Sequence, residues 1–236
     1  MADVGRRAGS WLRGVIAHRG TPRVFADNTV PGIAEAIRLG AAAVEVDVRT
    51  TRDGVPVLHH GPALRALRRP RRIADLSLAE LRGRARHVPT LAEALAVAGG
   101  AGVPLVLDIG TVQTARACLA VLPPATGTAP SVWFCGAAGA LAWVRAQDAG
   151  RPLMLSWDRR TPPPDTLLAD IAPTMFNPVH RWLDAGTVTR WHERGVGVCA
   201  WTVDRSRRRG LLRRWGVDAV ISNDVAGAVR DWRVPT

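Results

Sequence analysis

Short apolar runs rich in valine and isoleucine alternate with amphipathic stretches along the whole chain, and this alternation limits the possible folds most sharply. The strand-like runs are Gly14–His18, Ala43–Val48, Val55–His59, Val103–Ile109, Val132–Cys135, Leu153–Ser156, Thr174–Asn177, Val196–Trp201 and Ala219–Ser222. Helical patterns lie between most of them, at Thr29–Leu39, Thr90–Ala98, Val112–Val121, Ala138–Ala146, Thr187–Arg194, Arg205–Trp215 and Val225–Trp232. A parallel strand covered by helices is apolar at every position, so such runs between helices predict βα units. About eight units in 236 residues fit an α/β fold, a (β/α)8 TIM barrel, with a doubly wound sheet as the alternative. No break in composition marks a second domain, so residues 1–236 are expected to form a single barrel domain.

Two segments depart from the alternation. Residues 61–75, GPALRALRRPRRIAD, form an arginine-dense insertion after the third run. It reads either as a solvated loop or as a surface for phosphate or anionic lipid. Pro162, Pro163 and Pro164 cannot donate to a strand ladder and predict a rigid connection before a short helix.

Hydrophobic residues make up 47% of the chain and charged residues 22%, enough to bury a core and too apolar for a disordered chain. No apolar run approaches the roughly 18–20 residues that span a bilayer. The first residues carry arginines but no apolar stretch of a secretory signal, so a cytoplasmic location is expected. Cys118, Cys135 and Cys199 are odd in number and far apart, which excludes a disulfide framework and a cysteine zinc site. The 32 basic residues are all arginine, against 20 acidic ones, giving a formal net charge of +12. Such a charge suits nucleic acid, an anionic membrane or a phosphate-bearing substrate. No aromatic-rich recognition motif accompanies it, so no nucleic-acid partner is expected.

On a parallel barrel, binding groups gather at the C-terminal strand ends. The first run ends in His18-Arg19-Gly20, the second carries Glu45 and Asp47 on one face, the third ends in His59-His60, and the fourth carries Asp108 near its end. Later runs end in Ser156-Trp157, Asn177, Trp201-Thr202 and Ser222-Asn223-Asp224. Carboxylates inside VEVDV are costly to bury without a cation or donors. Three of them suit a hard divalent cation, Mg2+ or Ca2+. Two histidines beside it offer a general acid and base, and Arg19 a planar donor for phosphate. Together these groups point to phosphoester chemistry. Taken singly, His18 reads equally as a capping or core residue, Glu45 and Asp47 as partners of interior arginines, and Asp108 as a helix cap. Trp157 and Trp201 read either as an apolar wall for a bound alcohol or glycerol group or as packing. His87, His180 and His192 read as surface or structural.

The segments IAHRG (16–20), DNT (27–29) and VEVDVRTTRDGVPVLHH (44–60) resemble the N-terminal signature of the glycerophosphodiester phosphodiesterases, within the PLC-like phosphodiesterase superfamily. PTLAEAL (89–95), VPLVLDI (103–109), VCAWTVD (198–204) and GVDAVISNDV (216–225) follow in order, so the resemblance covers nearly the entire chain. It implies a (β/α)8 barrel that hydrolyses glycerophosphodiesters to an alcohol and glycerol 3-phosphate with a divalent metal. Carried over by position, His18 and His59 are the acid–base pair, Arg19 contacts the phosphate, and Glu45, Asp47 and Asp108 bind the metal. In the mechanism drawn for the family, the neighbouring glycerol hydroxyl attacks phosphorus, one histidine takes its proton and the other protonates the leaving alcohol. Water then opens the cyclic phosphate.

Three positions depart from that family's pattern. Asp27 stands for a glutamate, His60 for an aspartate, and Asp108-Ile109-Gly110 for Glu-x-Lys, which removes a lysine expected near the phosphate. An arginine of the 61–75 insertion is one possible replacement. The departures leave open two other readings, a barrel repurposed for another phosphate- or diphosphate-bearing metabolite of a biosynthetic pathway, and a non-catalytic relative. The expected partner is a small phosphodiester, with peripheral contact to anionic lipid through the insertion.

Overall fold

The computed structural model describes residues 11–64, 69–123, 125 and 132–232. In chain order the elements begin with β1 (Gly14–His18), α1 (Val30–Arg38), β2 (Ala43–Thr50), and the short strands β3 (Pro56–Leu58), β4 (Ala63–Leu64) and β5 (Arg71–Arg72). Helices α2 (Leu78–Arg84) and α3 (Leu91–Gly100) precede β6 (Leu105–Ile109), α4 (Val112–Val121), β7 (Val132–Gly136), α5 (Ala138–Gln147) and β8 (Met154–Trp157). The last third holds α6 (Asp165–Ile171), β9 (Met175–Pro178), α7 (Ala185–Glu193), β10 (Gly197–Ala200), α8 (Ser206–Arg214), β11 (Ala219–Ser222) and α9 (Val225–Trp232).

Eight parallel strands run in the order β7-β6-β2-β1-β11-β10-β9-β8. A single bridge between Phe134 and Leu153 joins the two ends, so the sheet is a nearly closed TIM barrel. Side chains alternate across each strand. One set packs outward under the helices, including Val44, Val46, Leu105, Leu107, Phe134 and Leu155. The other fills the interior with Ile16, Ala43, Val106, Trp133, Met154, Met175, Cys199 and Ala219. Trp11 closes the bottom, and a Cβ on Gly197 would come within 2.7 Å of its ring, so that approach requires glycine. All three cysteines are buried, which raises their thiol pKa values, that of Cys118 to about 12.

The helices start where their local chemistry directs. Thr29 caps α1 by accepting from the Gly32 amide, and Ser77–Glu80 and Thr90–Glu93 form capping boxes on α2 and α3. Pro164 leads directly into α6, as the proline run predicts.

The third strand-like run does not join the barrel. Pro56–Leu58 pairs antiparallel with the end of β2, Val48 opposite Leu58, because the two-way turn at 51–55 is too short for a crossover. The insertion is likewise not a plain solvated loop. β4 and β5 pair antiparallel, and Leu64 and Ile73 are buried with Val57, Leu76, Leu81 and Val88 in a small separate core. Its arginines at 69, 71 and 72 are exposed, and Arg68 lies outside the described residues. Truncation of Ile73, 1% exposed, to alanine should lower the unfolding free energy by roughly 2–5 kcal/mol in urea titration; an unchanged midpoint would mean the segment carries no packing.

Candidate active site

The alternation that fills the lower barrel with apolar side chains also sends polar ones to the rim. His18 lies beside Glu45 in the β1–β2 register, Asp47 beside Asp108 in β2–β6, and Ser156 beside Asn177 in β8–β9. One oxygen from each of Glu45, Asp47 and Asp108 lies within 4.8 Å of the others. Glu45 and Asp47 are buried. Burial raises the Glu45 carboxyl well above its ordinary range, reinforced by Asp47 and Asp108. Burial and then Asp47 raise Asp108 as well. Crowded carboxylates with only oxygen to offer suit a hard divalent cation. Asp108 is not a helix cap, since Thr111 caps α4.

The surrounding backbone is bent to serve this cluster. Arg19 adopts φ +57° and Asn28 φ +59°, a region that costs a non-glycine residue energy. In return the Arg19 amide donates to Glu45 Oε2 at 3.0 Å, while its guanidinium lies 3.0 Å from Asp47 Oδ2 and 3.2 Å from Asp27 Oδ2. The interior-arginine reading of Asp47 thus holds as a local pairing within the site. Asn28 grips Asp47 at both ends: its Nδ2 donates to Oδ2 at 2.8 Å, and its Oδ1 accepts from the Asp47 amide at 2.9 Å. Gly136 has φ +111°, and a Cβ there would meet Asp108 Oδ1 at 2.4 Å. The carboxylate occupies the space that glycine leaves.

Both histidines are held in a defined tautomer. Asp204 accepts from the Asn223 amide and from Asn223 Nδ2, each at 2.8 Å, and a carboxylate can only accept. This turns Asn223 Oδ1 toward His18 Nδ1, 2.7 Å away, so Nδ1 carries the proton and Nε2 is left facing Glu45 Oε2 at 3.9 Å. Burial, the largest influence, lowers the His18 pKa against the opposing hydrogen bond to Asn223. His59 Nδ1 donates to the Gly61 carbonyl at 2.7 Å, leaving its Nε2 free.

Trp201 points inward, packs on the interior cluster and donates from Nε1 to the Asn177 carbonyl at 2.8 Å. Trp157 points outward into the helix-facing core, so the pair does not form one apolar wall. His192 pairs with Asp218 and stacks on Trp11, a structural role, and His180 lies half-buried beside Arg208. His87 lines, with His59, Pro62, Ala63 and Arg84, a cleft of about 790 Å3 next to the mouth. Asp204 and Arg49 are polar residues given no role from the sequence, while Asn28 and Asn223 stood there only as part of a motif and of a strand end. Asn28 had a signal, since asparagine is the side chain that best tolerates positive φ. Asn28→Ala should cost about 1–3 kcal/mol of stability in a denaturant titration, because it strands the Asp47 amide and one carboxylate oxygen; no loss would mean that water replaces both bonds.

Known proteins resemble this chain in sequence and in fold. A 231-residue stretch is 27% identical to a glycerophosphodiester phosphodiesterase of Arabidopsis thaliana, covering 89% of this chain and 70% of that one. A 95-residue stretch is 37% identical to glycerophosphodiester phosphodiesterase 1 of Bos taurus, covering 34% of this chain and 29% of that protein's length. Such relatives are phosphoric diester hydrolases. In fold, the chain matches an Oleispira antarctica phosphodiesterase solved with the product sn-glycerol 3-phosphate, at a TM-score of 0.82 and 24% identity over 93% of this chain and 96% of that one. The sequence model of the glycerophosphoryl diester phosphodiesterase family matches residues 18–226, from the first rim histidine to the start of the last helix, and the chain belongs to that family.

Proposed function

We propose that the protein is a divalent-metal-dependent phosphodiesterase that cleaves glycerophosphodiesters, or closely related phosphodiesters, to an alcohol and glycerol 3-phosphate. The observation that carries this reading is the oxygen-only carboxylate triad flanked by two histidines with free Nε2 atoms at one barrel mouth. Glu45, Asp47 and Asp108 would hold the ion, Mg2+ or Ca2+, which when bound supplies neutralisation of charge on the phosphoryl oxygens.

His18, held with its Nε2 bare, takes the proton of the glycerol hydroxyl as that oxygen attacks phosphorus. His59 in its protonated form gives a proton from Nε2 to the leaving alcohol oxygen as its bond to phosphorus breaks. Water then opens the cyclic phosphate, with the two histidines exchanging roles. Arg19 offers the phosphate a permanent charge, and Trp201 walls the glycerol side. Holding the internal hydroxyl beside phosphorus is a proximity gain of order 10^5 M or more. On a panel of glycerophosphodiesters, turnover should require Mg2+ or Ca2+, vanish in EDTA, and fall about 10^2-fold or more in His18→Ala. No turnover with metal calorimetrically bound would turn the search to other phosphorylated metabolites.

A second property is favoured by Val24 and Phe25, 66% and 40% exposed on the β1–α1 loop beside Arg23. This loop, with the exposed Arg71 and Arg72, supports peripheral contact with anionic lipid. The protein should sediment with phosphatidylserine vesicles and less so with phosphatidylcholine, and Phe25→Ser should weaken the difference. Equal binding to both would end this reading. Among the described residues no helix is long and apolar enough to cross a membrane.

A further inference from the structure

We propose that Arg49 is a second phosphate-binding cation of the mouth, acting beside Arg19. This rests on the phosphodiesterase reading above. Alternation along β2 places Glu45, Asp47 and Arg49 on one face, in that order toward the rim. The antiparallel register sets Arg49 opposite Val57, and the His59 amide bonds to the Asp47 carbonyl, so Arg49 lies diagonal to His59 on that face.

Its guanidinium is fixed rather than trailing into solvent. Nη1 donates to the Val48 carbonyl at 2.8 Å and Nη2 donates to the His60 carbonyl, which ties the arginine to the turn that carries His59. Both partners are neutral. Among the described residues no carboxylate forms an ion pair with Arg49, whereas Arg19 is paired with both Asp27 and Asp47. Among the described residues the charge of Arg49 therefore has no carboxylate as a direct partner.

The mouth needs such a charge. Glu45, Asp47, Asp108 and Asp27 are four carboxylates, so Arg19 and a dication together leave them in excess before an anionic phosphodiester arrives. The space is also available. The β2–β6 register ends at the Val48–Ile109 pair, and Arg49 and Gly110 are the next residues of the two segments; an added Cβ on Gly110 would meet nothing within 4 Å. A phosphate oxygen reaching this lane would find the fork of Arg49, whose planar donors suit it.

Titration calorimetry with sn-glycerol 3-phosphate and with inorganic phosphate, beside turnover of a glycerophosphodiester, tests the assignment on the full chain. Arg49→Ala should weaken glycerol 3-phosphate binding about 10-fold or more and lower kcat/KM by about 10^2-fold. Arg49→Lys should fall between, and Arg49→Ala with Gly110→Lys should regain much of both losses, since it returns a cation to the open lane. Unchanged binding and turnover in Arg49→Ala would overturn the proposal. So would losses that neither lysine variant relieves, because they would make Arg49 only a tie for the His59 turn. If the wild-type protein shows no turnover but binds glycerol 3-phosphate in an Arg49-dependent way, the phosphodiesterase reading fails and the Arg49 assignment stands. Absence of both binding and turnover in the wild type would overturn the two together.

Discussion

Mutual repulsion among Glu45, Asp47 and Asp108 is the constraint around which the barrel mouth is built. Two of the three carboxylates are buried, and their oxygens lie within 4.8 Å of one another. Without a cation this arrangement costs energy, seen as the upward pressure on the Glu45 and Asp108 carboxyls. The fold spends conformational strain to hold it. Arg19 and Asn28 accept left-handed backbone so that an amide, a guanidinium and a carboxamide reach the acids, and Gly136 gives up a side chain so that Asp108 fits. Strain concentrated on one small cluster marks a functional region more firmly than any single residue does.

His18 shows how a remote carboxylate sets a tautomer without touching the ring. Asp204 can only accept, so it orients the Asn223 amide, which then dictates which nitrogen of His18 is protonated. His59 receives the same instruction from one backbone carbonyl, that of Gly61. The two rings end in the same tautomer by unrelated means. Their difference lies in surroundings: His18 is 18% exposed and sits over the acid cluster, while His59 borders an open cleft.

The barrel was legible in the sequence because its strands are covered on both sides and therefore apolar throughout. β1, α4, β11 and α9 coincide with the runs and periods read for them. Val55–His59 misled because a hairpin strand packed against a small second core is as apolar as a barrel strand. Helix α2 escaped notice although Ser77 and Glu80 carry the spacing of a capping box; its seven residues are too few for a clear period. In the site, Glu45, Asp47, Asp108, His18 and His59 stand out because charge within an apolar run is conspicuous. Asn223 and Asp204 belong to different loops, 19 residues apart, and nothing local reveals that they act together. Trp157 and Trp201 look alike at their strand ends, and only the phase of each strand decides that one faces the helices and the other the interior.

The burial of the three cysteines gains meaning from what the chain lacks. It contains no tyrosine, and its basic residues are all arginine. Arginine stays charged past pH 12, and the thiols are pushed upward, Cys118 to about 12. Apart from the amino terminus, the protein therefore presents an almost constant electrical face around pH 10, the span in which lysine and tyrosine ordinarily titrate. Its long-range pull on anions is the same across that span. Were the proposed activity assayed there, an alkaline limb near pH 10 would belong to what is bound in the mouth and not to a lysine or tyrosine side chain.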